Sequence, residues 1–148
     1  MIREGVKYET NICCFNNSHC YAHCTDCLCW WIISKLYFIG LWEGIDGNDG
    51  SEAQRSITLN NDGTFSIIGQ EPITSGCNGE RGYVTGTGEL QGGVIVSYNF
   101  YLFCYNNLGP HGPMYATYKA DKLNGTLIED FPDAEAFEPM IMHKISKR

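Results

Sequence analysis

The side chains of this 148-residue chain best suited to metal binding or disulfide chemistry are its eight cysteines and four histidines. They are unevenly placed: Cys13, Cys14, Cys20, Cys24, Cys27 and Cys29 fall together with His19 and His23 on one short segment. Thiolates and imidazoles are zinc ligands, and Cys24-x2-Cys27 has the spacing of a zinc knuckle. A second pair farther along, which would close a tetrahedron around a loop, is missing. We therefore assign no metal, and zinc, disulfides and free thiols stand as three readings of the segment. Cys77 and Cys104 stand apart, 27 residues from each other. Joined, they would close a loop worth roughly 3–4 kcal/mol in an oxidising compartment, and two buried free thiols are the alternative.

Other reactive side chains are not organised by any motif. Ser75, Cys77, His111 and His143 supply the residue types of a nucleophilic set, but no pattern brings two of them within hydrogen-bond reach. His111, in the stiff segment Gly109-Pro110-His111-Gly112-Pro113, and Glu89 are the side chains to watch for an enzyme. Asp46-Gly47-Asn48-Asp49-Gly50-Ser51-Glu52 carries oxygen ligands without the order of an EF-hand loop, so turn chemistry explains it better. Asn16-x-Ser18 and Asn124-x-Thr126 fit the glycosylation acceptor pattern, which is common by chance. The acidic run Glu129, Asp130, Asp133, Glu135 and Glu138 reads as a solvated loop. No phosphate-binding glycine loop is present, and no catalytic residue or cofactor is assigned.

Charge narrows the partners. Ten Lys and Arg against seventeen Asp and Glu give a formal net charge of -7. Nucleic-acid binding draws on clustered cations, so DNA and RNA are excluded as expected partners. The apolar run from Leu28 to Trp42 falls short of the roughly 18–20 residues a membrane-spanning helix needs, so no membrane span is expected.

The composition divides the chain in two. Residues 1–35 form an irregular Cys/His-rich extension, either disordered or outside the native domain, and residues 36–148 form the folded domain. From Phe38 onward, turn signals recur between short apolar stretches. A first strand runs from Phe38 to Ile45. Glu52–Leu59 and Thr64–Gly69 flank Asp62-Gly63; Gly82–Leu90 and Val94–Tyr105 flank Gly92-Gly93; Met114–Lys122 and Thr126–Glu129 flank Asn124-Gly125. Such dipeptides suit the tight turns of hairpins. With Met140–Ile145 last, the pattern predicts an all-β fold, a small antiparallel up-and-down β-barrel of about eight strands, because closure hides the sheet edges.

Period-two alternation then predicts the interior. On the longest strand Val94, Val96, Tyr98, Phe100, Leu102 and Cys104 share the face we expect inside. Met114, Ala116, Tyr118 and Ala120 continue it on the next strand, and Phe65, Ile67, Ile57 and Leu59 on the hairpin before. Gly86 and Gly88 signify either barrel curvature or room for a ligand. The opposite face keeps Tyr101, Phe103 and Tyr105, which would suit a homodimer contact.

Phe38-x-Gly40-x-Trp42 on the first strand of such a barrel resembles the calycin superfamily, which includes lipocalins, fatty-acid-binding proteins and avidins. The resemblance implies that Trp42 closes the narrow end and that Lys144 packs over its ring. It also implies a non-enzymatic barrel holding a small hydrophobic molecule, for which Phe65, Ile67, Val96, Tyr98, Phe100, Met114, Ala116 and Tyr118 are the lining candidates. The alternatives are a cyclase- or isomerase-type barrel enzyme with His111 or Glu89 at its mouth, and a structural or interaction module.

Overall fold

The computed structural model describes residues 34–145, so the Cys/His cluster lies outside the described residues. Eight antiparallel strands follow one another around a closed barrel: β1 Gly40–Ile45, β2 Glu52–Leu59, β3 Phe65–Thr74, β4 Glu80–Gln91, β5 Val94–Cys104, β6 Pro110–Asp121, β7 Thr126–Asp130 and β8 Met140–Lys144. Every strand pairs with its chain neighbours, and β8 returns to β1 through Trp42 opposite Lys144, Glu43 opposite His143 and Gly44 opposite Met142. No edge is left unpaired, which is what stabilises a chain built of short strands against pairing with others.

Hairpin chemistry sets the registers. In the β2–β3 turn the Asp62 carboxylate accepts the Thr64 N–H at 2.9 Å and its hydroxyl at 2.7 Å, while Gly63 takes φ +86°. In the β6–β7 turn the Asp121 carboxylate accepts bonds from the Asn124 amide group and the Leu123 and Asn124 N–H groups, with Gly125 at φ +69°.

The inward rows are Ala53, Arg55 and Ile57 on β2; Phe65, Ile67, Gly69 and Glu71 on β3; and Leu127 and Glu129 on β7. On β5 the expected alternation is broken. Ile95 and Ser97 are buried, Tyr98 and Asn99 are both exposed, and Phe100, Leu102 and Cys104 are buried again. A register shift against both β4 and β6 in this stretch accounts for the change of face, since an extra residue re-aims every side chain beyond it. Tyr98 is therefore 66% exposed instead of facing inward, and Val96, though buried, alternates with the inward Ile95 and Ser97 and lines an outer groove. Gly86 and Gly88 leave room for neighbours: a Cβ on Gly86 would meet the Phe100 ring at 3.0 Å, and one on Gly88 would strike Ile95.

The two ends differ. At the end holding the short hairpins, Phe38 belongs to a helical turn, 34–38, instead of the first strand. That turn seals the barrel. Lys35 Nζ donates to the Gly63 carbonyl at 2.9 Å, the Tyr37 hydroxyl donates to the Asp121 carbonyl at 3.1 Å, and Phe38 packs on Phe65. The folded unit thus reaches back at least to the turn. Trp42 donates its indole N–H to the Phe38 carbonyl at 2.8 Å, and Lys144 Nζ stands 5.1 Å from the Trp42 ring centroid. Gly40 permits this, because a Cβ there would come within 2.6 Å of Lys144 Cε.

The other end carries the longer loops. Cys77, in a 3-10 turn Ser75–Cys77 before β4, is disulfide-bonded to Cys104 at the end of β5. The Ser75 N–H donates to the Asp49 carboxylate and the Glu138 N–H to the Asn48 side chain, tying three loops together. Phe131 covers Phe100 at 5.5 Å between ring centroids, with Phe137 behind it.

Candidate functional site

Period two continues through Tyr118, expected inside, and through three charged side chains that the apolar reading of the interior passed over, among them Glu129, which is buried instead of belonging to a solvated loop. Arg55 shares a face with Ala53 and Ile57, Glu71 with Phe65 and Ile67, Glu129 with Leu127, and Tyr118 with Ala116. All four point into the barrel and meet toward its loop end.

Arg55 holds them together. Its Nε donates to Glu129 Oε2 at 2.7 Å and its Nη2 to Glu129 Oε1 at 2.8 Å, a bidentate fork joining β2 to β7 across the interior. Nη2 also reaches Glu71 Oε1 at 2.7 Å, and Nη1 bonds the Gln54 carbonyl at 3.0 Å. The guanidinium carbon lies 5.8 Å from the Phe100 ring centroid. Gly69, directly opposite Arg55 in the ladder, makes this possible: a Cβ there would come 2.7 Å from Arg55 Cδ and would strike the Gln54 carbonyl.

Electrostatics follow from burial and pairing. Burial opposes the Arg55 charge most strongly, but Glu129, with help from Glu71, more than offsets it and the guanidinium stays protonated. Tyr118 sits opposite Glu129 on β6 with its hydroxyl fully buried, close enough to Glu129 and Arg55 to feel both charges but outside good hydrogen-bond geometry with any described residue. Burial first, and the Glu129 carboxylate second, lift this phenol well above its ordinary value, and Arg55 opposes the shift only in part. The phenol is a neutral donor at any physiological pH. Glu71, 9% exposed, reaches the surface at a pocket of about 170 Å³ formed with Gln70, Pro72, Arg81, Gly82 and Tyr105.

Of the expected lining residues, Phe65, Ile67, Phe100, Ala116 and Tyr118 come together in one buried cluster, with Met114 partly buried against it. They pack on one another. Five pronounced pockets among the described residues are all surface grooves, and none has these six residues in its wall. Val96 and Tyr98 line one such groove with Thr87, Glu89 and Asn99. His111 and Glu89 are not brought together: both are exposed, His111 near the loop end of β6 and Glu89 near the hairpin end of β4. Among the described residues no group of three or more His, Cys, Asp or Glu is placed to hold a metal. No helix there is long and apolar enough to cross a membrane.

The outer aromatics of β4 to β6 stack in cross-strand pairs, Tyr83 on Phe103 at 5.0 Å and Tyr98 on Tyr115 at 4.9 Å between centroids. Such pairs stabilise a sheet in their own right. No protein-family model matches the chain, and no curated protein aligns with it significantly.

Proposed function

We propose that the chain is a calycin-like barrel that acts by binding, without catalysis, and that its small, largely hydrophobic ligand enters from the loop end. The polar group of that ligand meets Tyr118 and Glu71, while its apolar part replaces Phe131 against Phe100. The observation that carries this reading is the buried, unpartnered hydroxyl of Tyr118 beside a fixed ion pair. A buried polar group without a partner costs about 1–3 kcal/mol, and such groups concentrate where a protein has work for them. The cluster favours binding over acid–base catalysis because a permanently charged guanidinium and a phenol of raised pKa exchange no proton near neutrality.

The interior is filled when Phe131 is docked, so access requires the segment 131–139 to swing out. Its anchors are few: the Glu138 N–H to Asn48, and the Phe131 ring against Phe100. Native mass spectrometry of protein purified from its own source tests the reading directly. A retained small molecule that is lost in the Tyr118→Phe protein supports it. A bare protein, with no thermal stabilisation of wild type over Tyr118→Phe by any member of a lipophilic library, overturns it.

A structural or interaction module is the second reading, favoured by the filled interior and the outer aromatic pairs. A homodimer through Tyr101, Phe103 and Tyr105 would appear in sedimentation as a dimer that Tyr105→Ser dissociates.

A further inference from the structure

We infer that the outer groove across β8, β1 and β2 is a second binding site, one for a small organic cation with an apolar body. It is independent of the barrel interior. The groove encloses about 690 Å³ and is lined by Glu43, Ile45, Glu52, Gln54, Ile141 and His143 on its walls, with Gly44 and Ala53 in the floor. Concavities of this size hold drug-sized ligands.

The shape has a cause in the strand pairing. The β1–β8 ladder stops at Gly44 opposite Met142, while β1 stays paired with β2 as far as Ile45 opposite Glu52. Beyond that last β1–β8 rung the surface recedes toward Gly47 and Pro139, neither of which carries a long side chain.

Chemistry selects the occupant. One row across the three strands reads His143, Glu43, Gln54, from Glu43 opposite His143 on one side and Gln54 on the other. The row below it holds Ile141, Ile45 and Glu52. Ile45 and Ile141 are 57% and 56% exposed, an apolar strip open to water. Carboxylates flank the strip at Glu43 and Glu52, and Glu138 adds a third where its carboxylate abuts Gly47. No Lys or Arg lines the groove, and neither Glu43 nor Glu52 makes an ion pair within the described residues. A neutral lipid would leave the carboxylates without a counterpart, and an anion would be repelled. An alkylammonium-like ligand satisfies both the strip and its rim. The groove along Tyr83, Phe103 and Tyr105 differs, because its aromatic side chains are already packed on one another.

The test titrates the full chain with octylammonium chloride, 1-octanol and methylammonium chloride, followed by amide NMR. Octylammonium is expected to saturate, with shifts confined to residues 43–47, 52–54 and 141–143. Octanol should bind at least threefold more weakly, and methylammonium should not saturate. Affinity should fall with added salt, as it does for exposed charges. Glu43→Gln and Glu52→Gln, both at exposed positions, should each weaken binding roughly 1.5- to 5-fold, the range expected of exposed ion pairs. Equal binding of octanol and octylammonium overturns the proposal. So does the absence of saturation, a shift pattern centred on Tyr118 and Phe100, or a double variant that binds like wild type.

Discussion

Replacing Arg55 by methionine would leave the carboxylates of Glu71 and Glu129 buried without their shared cation. Removing one partner of a buried ion pair destabilises by about 3–5 kcal/mol, because the charge left behind cannot be solvated. Urea unfolding of Arg55→Met should register a loss of that size, and adding Glu71→Gln and Glu129→Gln should recover much of it. Failure of the triple variant to recover would mean that Arg55 acts through its packing on Phe100 more than through its charge. Tyr118 makes a separate prediction on the alkaline side. Its folded pKa is raised above the unfolded value near 10, so folding holds the proton more tightly than the open chain does. Its contribution is complete below about pH 10 and is lost as pH rises toward the folded pKa, so stability falls with alkalinity. Phenolate absorbance should show one tyrosine that ionises only on unfolding, and Tyr118→Phe should flatten the alkaline decline. Of these four inward polar residues Tyr118 was read from its apolar neighbours, whereas the three charged ones were legible only in their spacing. Arg55 and Glu71 obey the same period as their apolar neighbours, but their residue types suggest solvent, and nothing local announces that an arginine on β2 will meet a glutamate on β7.

Among the elements, the disulfide ties the 3-10 turn after β3 to the end of β5, beside strands already hydrogen-bonded to each other. Its closed loop of 27 residues predicts that Cys77→Ser with Cys104→Ser costs roughly 3–4 kcal/mol. A thermal melt with and without reductant checks this; superimposable curves would show the loop end held by packing alone. Hairpins were readable because Asp62-Gly63 and Asn124-Gly125 state their turn geometry within two residues. The β5 face was read correctly from Phe100 onward and wrongly before it, since a bulge is a mismatch between two strands and neither strand's sequence contains it. Tyr98 was misplaced for that reason. The helical turn at 34–38 was likewise hidden, because Phe38 and Ile39 read as the start of a strand and only the need to seal the barrel makes Tyr37 and Phe38 a plug.

At the scale of the whole molecule, the closed barrel divides its labour between a sealed end and a loop end. The sealed end is fastened by Lys35, Tyr37 and Trp42 to two hairpin turns and to the last strand. The loop end carries the buried charges just beneath it, and there the disulfide and the Asp49 bond hold the neighbouring loops while 131–139 is fastened to them by the Glu138–Asn48 bond and the Phe131 ring. Local opening is therefore expected at 131–139 before anywhere else among the described residues, because segments with few apolar contacts open at low free energy. Amide exchange should find the fastest protected-to-open transitions there, and the slowest at Ile57, Ile67 and Tyr118. Uniform exchange across both ends would contradict that division.

The barrel's seam places the last described residues beside those that lead into β1: Ile145 donates its N–H to the Leu41 carbonyl at 2.8 Å, and Lys144 Nζ donates to the Tyr37 carbonyl at 3.2 Å. A glycine–serine bridge could therefore close the chain across this seam and let it be reopened at Gly92-Gly93, yielding a circular permutant with the same cooperative melt. By the same geometry, cargo attached after residue 145 would hang from the sealed rim and leave the opposite mouth facing outward.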